Sequence, residues 1–171
     1  TSAGIVRGTS NEKNETLQMI YLKDYNCPFC GRAFAAPAVK SRYIQVENID
    51  SDFCIRYRLL DPTYYELVVC PHCHYAFPAD YQQVPAGEVR EKLKGLLLTF
   101  PAVFDLDGVR DLAIAILLTK WTLQVQEQAK APASILGRLA LRLACYYRQQ
   151  GWQQEELTAL REALGYLETS Y

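Results

Sequence analysis

Two cysteine pairs with matching flanks constrain this chain more than any other feature. They are Cys27-Pro28-Phe29-Cys30-Gly31 and Cys70-Pro71-His72-Cys73-His74. A Cys-Pro-x-Cys step turns the backbone into a tight knuckle with both sulfurs on one side. Two knuckles brought together offer four thiolates in a tetrahedron, the arrangement of a closed structural zinc site. Each pair continues alike, to Phe34 and Phe77, so both segments read Cys-Pro-x-Cys-x-x-Ala-Phe. The 39 residues between them, 31 to 69, are enough for several short strands but not for an independent core. Cys27, Cys30, Cys70 and Cys73 are therefore read as ligands of one Zn2+ per chain. Iron in a rubredoxin-like electron carrier is the alternative, since tetrahedral thiolate suits both metals.

Cysteine spacing also bears on compartment. Six cysteines in 171 residues can form a disulfide framework, but paired knuckles favour a common metal. No stretch reads as a secretory signal, and the longest apolar run, Leu112 to Leu118, is far short of a membrane span. A cytoplasmic protein without a membrane segment is expected. Net charge points away from a polyanion coat: it is -1 overall. Residues 20–80 carry six Lys/Arg against seven Asp/Glu, and residues 81–171 carry ten of each. Half the residues are apolar, so the chain can bury a core.

Residues 1–18 are polar and aperiodic, and Met19 is the only methionine. They are expected to be an added leader or a flexible tail. Residues 19–80 are expected to form a small antiparallel zinc-ribbon-like module. Val39–Glu47, Ile55–Leu60 and Tyr64–Cys70 carry the β-like pattern, and Asn48–Asp52 and Asp61-Pro62-Thr63 are read as turns. A module this small would draw part of its folding free energy from the metal. Pro78–Gly87 is the expected linker. Residues 81–171 read as an all-α domain, making the fold class α+β.

In that second half, Glu88–Leu98 is a short helix, and Asp107 is read as the N-cap of a long one over Val109–Ala129. Its apolar centre predicts burial on several sides. Pro132 opens the next helix, with Leu136, Leu139, Ala140, Leu143, Ala144 and Tyr147 on one face, and Gly151 stops it. The last helix presents Leu157, Leu160, Ala163, Leu164 and Leu167. Placing Ala144 at the small position of a tetratricopeptide unit puts Leu143, Tyr147, Gly151, Leu160 and Ala163 at matching sites, with Glu156 a mismatch. One such hairpin cannot bury its own faces, so a neighbour must cover them.

Taken together, the chain resembles a bacterial family known only as domain of unknown function 2225. The resembling residues are the two knuckles, Val39-Lys40-Ser41, Asp50-Ser51-Asp52-Phe53-Cys54, Asp61-Pro62-Thr63-Tyr64-Tyr65-Glu66 and Leu143-Ala144-Cys145-Tyr146-Tyr147-Arg148. The resemblance implies a zinc-ribbon-like front and a tetratricopeptide-like back, and lends no activity. His74 departs from the glycine that the family pattern has after the second knuckle. A left-handed backbone is expected there, as at Gly31.

The remaining polar residues sort as follows. His72 and His74, the only histidines, sit on a knuckle and are read mainly as non-ligands. With four ligands closing the metal, and no P-loop, Gly-x-Gly-x-x-Gly or His-Glu-x-x-His, no enzyme is expected. Cys54 is read as a half-buried strand cysteine, with a spare or redox-sensitive thiol as the alternative. Cys145 is read as helix packing. Lys40, Arg42, Arg56 and Arg58 with Tyr43, Tyr57, Tyr64 and Tyr65 could face single-stranded nucleic acid, the alternative function; a solvated sheet face is preferred. The expected role is a protein–protein interaction platform in the helical half. Arg138, Arg142, Arg148 and Trp152 are its candidate contacts to an unknown partner or a second copy.

Overall fold

In the computed structural model, residues 10–50, 54–83, 85–101, 106 and 108–169 are described. The order is helix α1 (Ser10–Met19), strands β1 (Ile20–Asn26), β2 (Ala33–Val39), β3 (Val46–Ile49), β4 (Ile55–Tyr57), β5 (Leu67–Val69) and β6 (Ala76–Pro78), then helices α2 (Gly87–Leu97), α3 (Leu112–Gln128), α4 (Ala133–Gln150) and α5 (Gln153–Thr169). Short antiparallel strand pairs precede a helical half, so the fold is α+β.

The strands form three two-stranded antiparallel sheets, β1–β2, β3–β4 and β5–β6. Each knuckle is the turn of its own hairpin, joining β1 to β2 and β5 to β6. The β-like pattern in the sequence lies between the knuckles and so leaves out β1, most of β2 and β6. Ala33–Val39 is rich in alanine and carries Pro37, a weak strand signal.

Val39–Glu47 is not one strand. A 3-10 turn at Ser41–Tyr43 interrupts it, closed by Tyr43 N–H to the Lys40 carbonyl at 3.0 Å and Ile44 N–H to the Ser41 carbonyl at 3.1 Å. Its alternation carries no buried face: every residue of β3 is exposed. The expected turn at Asp61-Pro62-Thr63 is a second 3-10 turn, in which Asp61 Oδ1 accepts the Thr63 N–H at 2.9 Å; it runs on through Tyr65 and so takes Tyr64 and Tyr65 out of the expected strand. Helix α1 also falls in a segment whose sequence is aperiodic. Lys40 holds its end, donating N–H to the Met19 carbonyl at 2.9 Å and Nζ to the Gln18 carbonyl at 2.8 Å.

The long helix begins three residues later than expected, since Asp111 is its cap and accepts the Ile114 N–H at 2.9 Å. Asp107, the expected cap, lies outside the described residues, as do Ser51, Asp52 and Phe53. Buried on several sides as its composition demands, α3 contributes to all three apolar clusters among the described residues. Leu118, Trp121 and Val125 pack with Phe29, Phe34, Val68 and Phe77 around the knuckles. Leu123 joins Leu67 of β5 and Leu139 of α4. Ala115 and Ile116 meet Leu143, Ala144 and Tyr147. Apolar packing thus runs across the expected boundary at residue 80.

Helices α4 and α5 form an antiparallel hairpin. Gly151, at φ 76°, ends α4, and Gly137 allows close approach where an added Cβ would stand 2.9 Å from Leu167. The template mismatch at Glu156 has a partner: Arg148 Nε donates to Glu156 Oε1 at 2.7 Å across the bend. Helix α3 covers the apolar face of α4, whereas Leu157 and Leu164 of α5 stay exposed.

Candidate metal centre

Both knuckles are built by the same bonds. Gly31 N–H donates to the Cys27 carbonyl at 2.9 Å, and His74 N–H to the Cys70 carbonyl at 2.8 Å. Cys27 N–H and Cys70 N–H close the loops onto the carbonyls of Arg32 (2.9 Å) and Tyr75 (3.0 Å). The matched turn needs a left-handed residue after the last cysteine. His74 adopts it at φ 67° beside Gly31 at φ 75°, as expected. The backbone N–H groups of Phe29 and Cys30 both point at Cys27 Sγ, 3.4 Å away.

Cys27, Cys30, Cys70 and Cys73 are free thiols, and their sulfurs all lie within 4.8 Å of one another. Cys27 Sγ is 3.5 Å from Cys73 Sγ, and Cys30 Sγ is 3.7 Å from Cys70 Sγ, so the knuckles face each other crosswise. A metal at the ~2.3 Å zinc–sulfur distance requires a sulfur–sulfur edge of about 3.8 Å, which this cluster brackets. Cys27 and Cys70 are buried, and Cys30 and Cys73 half-buried. The four cysteines could hold a metal ion, and the sequence named each of them.

The thiols perturb one another at this distance. Hydrogen bonds from Cys27 and Cys73 hold the Cys70 thiol far below the usual thiol range. Bonding to Cys70 pushes Cys27 up to about 11, and bonding to Cys27 raises Cys73. Four thiolates need a cation among them.

The helical half grips both knuckles. Arg90 of α2 donates Nη2 to the Phe29 carbonyl, with its guanidinium 4.3 Å from the Phe29 ring. Trp121 Nε1 donates to the His74 carbonyl at 2.9 Å, and Gln126 Nε2 to the Ala76 carbonyl at 2.7 Å. The His74 ring is 4.7 Å from Phe100, with Nδ1 3.4 Å from the Leu97 carbonyl. The ring is thus taken up by α2 and its exit, and neither histidine belongs to the sulfur cluster. Buried Arg110 donates Nη1 to the carbonyls of Tyr64 (3.0 Å) and Leu67 (2.6 Å), and desolvation lowers its pKa to about 10. Sequence reasoning missed Arg90, Arg110, Trp121 and Gln126. Gln126 had no signal of its own, being one of three glutamines in the polar second half of α3.

The expected interaction residues all have partners within the chain. Arg138 binds Asp80 through two 2.8 Å bonds, holding that carboxyl below its ordinary range, and Arg142 lies 3.2 Å from Glu66. Arg148 pairs with Glu156, and Trp152 packs 5.9 Å from the Tyr147 ring. The basic and aromatic residues weighed for nucleic acid do not share a strand face. Lys40 caps a 3-10 turn and Arg42 lies within it, Arg56 is 3.4 Å from Asp50, Tyr65 is buried, and Tyr64 donates its hydroxyl to Gln149 at 3.0 Å.

Cys54 and Cys145 are corrected. They are bonded to each other as a disulfide spanning 91 residues, with Cα atoms 5.7 Å apart. Cys145 does not simply pack in α4, and Cys54 is neither spare nor merely buried in a strand. Nothing local connects two cysteines so distant in sequence; the docking of α4 brings them together.

Residues 20–171 match a family described as an uncharacterized protein conserved in bacteria, DUF2225, and the chain belongs to it. No curated protein and no solved structure matches the chain.

Proposed function

We propose that this DUF2225 protein is a non-enzymatic bacterial zinc protein of the cytoplasm, in which a zinc-ribbon-like module is clamped to a tetratricopeptide-like docking platform. The observation that carries the metal reading is the crosswise meeting of four knuckle sulfurs within 4.8 Å. Cys27, Cys30, Cys70 and Cys73 would hold the ion, whose charge stabilises four thiolates and ties the two hairpins together. Such a site keeps no open coordination position, which argues for structure rather than catalysis. Elemental analysis of protein purified under reducing conditions tests this. One zinc per chain is expected; a red iron protein would establish the rubredoxin-like alternative, and a metal-free folded protein would overturn the reading.

Docking is best supported at a groove of about 400 Å3 between α3, α4 and α5. Leu123, Leu143 and Tyr147 line it, and Glu127, Glu155 and Glu162 outnumber Lys120, which lies over Tyr147. Apolar lining with acidic walls suits a segment bearing apolar and Lys/Arg side chains. Arg138 and Arg142 remain at the platform's edge, where substitution would first disturb their pairs with Asp80 and Glu66. Fluorescence anisotropy with basic amphipathic peptides should show salt-sensitive binding that Glu155→Lys/Glu162→Lys abolishes. Equal binding of acidic peptides, or none of either, would remove the groove from the proposal; dimerisation in light scattering would point to a second copy instead.

A further inference from the structure

We propose that the Cys54–Cys145 bond is a thiol–disulfide exchange site whose reduction releases the β3–β4 hairpin from α4. The bond joins Cys54, just past the hairpin's turn, to the second-last turn of α4. Cys54 is the one buried residue among the described positions of 44–61. Val46 and Ile49 are more than half exposed, and among the described residues β3 and β4 pair only with each other. A two-stranded ribbon with so little burial is marginal by itself. The disulfide is therefore the main tie between the hairpin's far end and the body of the protein.

The bond is also reachable. A cavity of about 120 Å3 has both cysteines in its wall, together with Arg142 and Gln149. Cys145 is the more exposed of the pair. A thiolate of a small thiol entering there attacks Cys145 Sγ. The sulfur–sulfur bond breaks, its electron pair leaves on Cys54 Sγ, and a mixed disulfide forms on Cys145. A second thiol attacks that mixed disulfide, releasing Cys145 and forming the oxidised thiol. Two electrons and two protons pass from two thiols to the two cysteines. Arg142, in the same wall, favours the outgoing thiolates by charge. Four further thiols lie in the knuckles, where a bound metal would shield them from the same exchange. Disulfides in reducing compartments are characteristically of this transient, sensing kind.

The test equilibrates the zinc-loaded full chain with reduced and oxidised glutathione over a series of ratios. Mass spectrometry after alkylation quantifies the Cys54–Cys145 bond, and hydrogen exchange follows residues 44–61. Opening is expected while the metal stays bound, with at least about tenfold faster exchange in that segment and unchanged exchange in α4 and α5. Cys54→Ser/Cys145→Ser should reproduce the fast segment under oxidising conditions. Should that variant fold poorly, reduced wild-type protein reports the same property. Unchanged exchange on reduction, a bond that never forms in metal-loaded protein, or opening only with global unfolding would overturn the proposal.

Discussion

The indole of Trp121 donates its Nε1 hydrogen to the carbonyl oxygen of His74 at 2.9 Å, fastening the long helix to the second knuckle. Trp121 also packs 5.1 Å from Phe100, which stacks beside the His74 ring. The residue after the last metal-site cysteine is thus held by α3 on its backbone and by the end of α2 on its side chain. The knuckles and the helices share one continuous apolar cluster.

Metal loss is therefore expected to be felt throughout the chain. Cys70→Ala should lower the melting temperature of the helices along with the strands, in a single transition. Helical circular dichroism and Trp121 fluorescence, read in a Trp152→Phe background, should move together. Two separate transitions would show that residues 19–80 and 81–171 fold independently.

Gln126 is a second link of the same kind. Its Nε2 donates to the Ala76 carbonyl at 2.7 Å and to the Tyr75 hydroxyl at 3.3 Å, all buried. Gln126→Met keeps the volume and removes the donor. A loss of about 1–3 kcal/mol in denaturant unfolding is expected, because buried acceptors are left a partner short. No change would mean that water replaces the amide.

His74 separates backbone cost from side-chain gain. Glycine at this left-handed position relieves about 1 kcal/mol and forfeits the ring's contact with Phe100, worth a similar amount. His74→Gly should be near neutral, whereas His74→Ala keeps the strain, loses the ring and should cost about 1–2 kcal/mol. Equal losses in both variants, read from denaturation midpoints, would assign the whole effect to the imidazole.

Alkali should unfold the protein through its buried phenols. Burial raises Tyr146 and Tyr64 above their ordinary value, and Tyr65 and Tyr75 rise for the same reason. A phenol with a raised folded pKa stays protonated in the native state while the unfolded chain ionises. Stability is therefore full below about pH 10 and falls as pH climbs beyond it. Arg110, lowered to about 10, works the other way but is one group against four. Unfolding midpoints measured against pH should drop above about pH 10, with tyrosinate absorbance appearing in the same step. Tyr146→Phe should flatten that drop.

Legibility followed range. The knuckle sulfurs were readable because Cys-Pro-x-Cys sets its own geometry over four residues, and the left-handed His74 follows from the same local bonds. The α4–α5 hairpin was readable because periodicity, Pro132 and Gly151 are local as well. Strand limits were not: Ala33–Val39 has weak intrinsic preference and is a strand because Ile20–Asn26 pairs with it. The alternation from Val39 to Glu47 looked like a strand but had no core to face.

By itself the sequence determined the α+β class, the four cysteines that could hold a metal ion, the turns around them and the last two helices, since each depends on neighbours a few residues away. Tertiary structure decided the rest. It set Arg110 in the interior on two backbone carbonyls, made α3 the common wall of the three apolar clusters, and joined Cys54 to Cys145 across 91 residues. Those pairings carry no local signature, because they arise only where separately formed elements bury their apolar faces against one another.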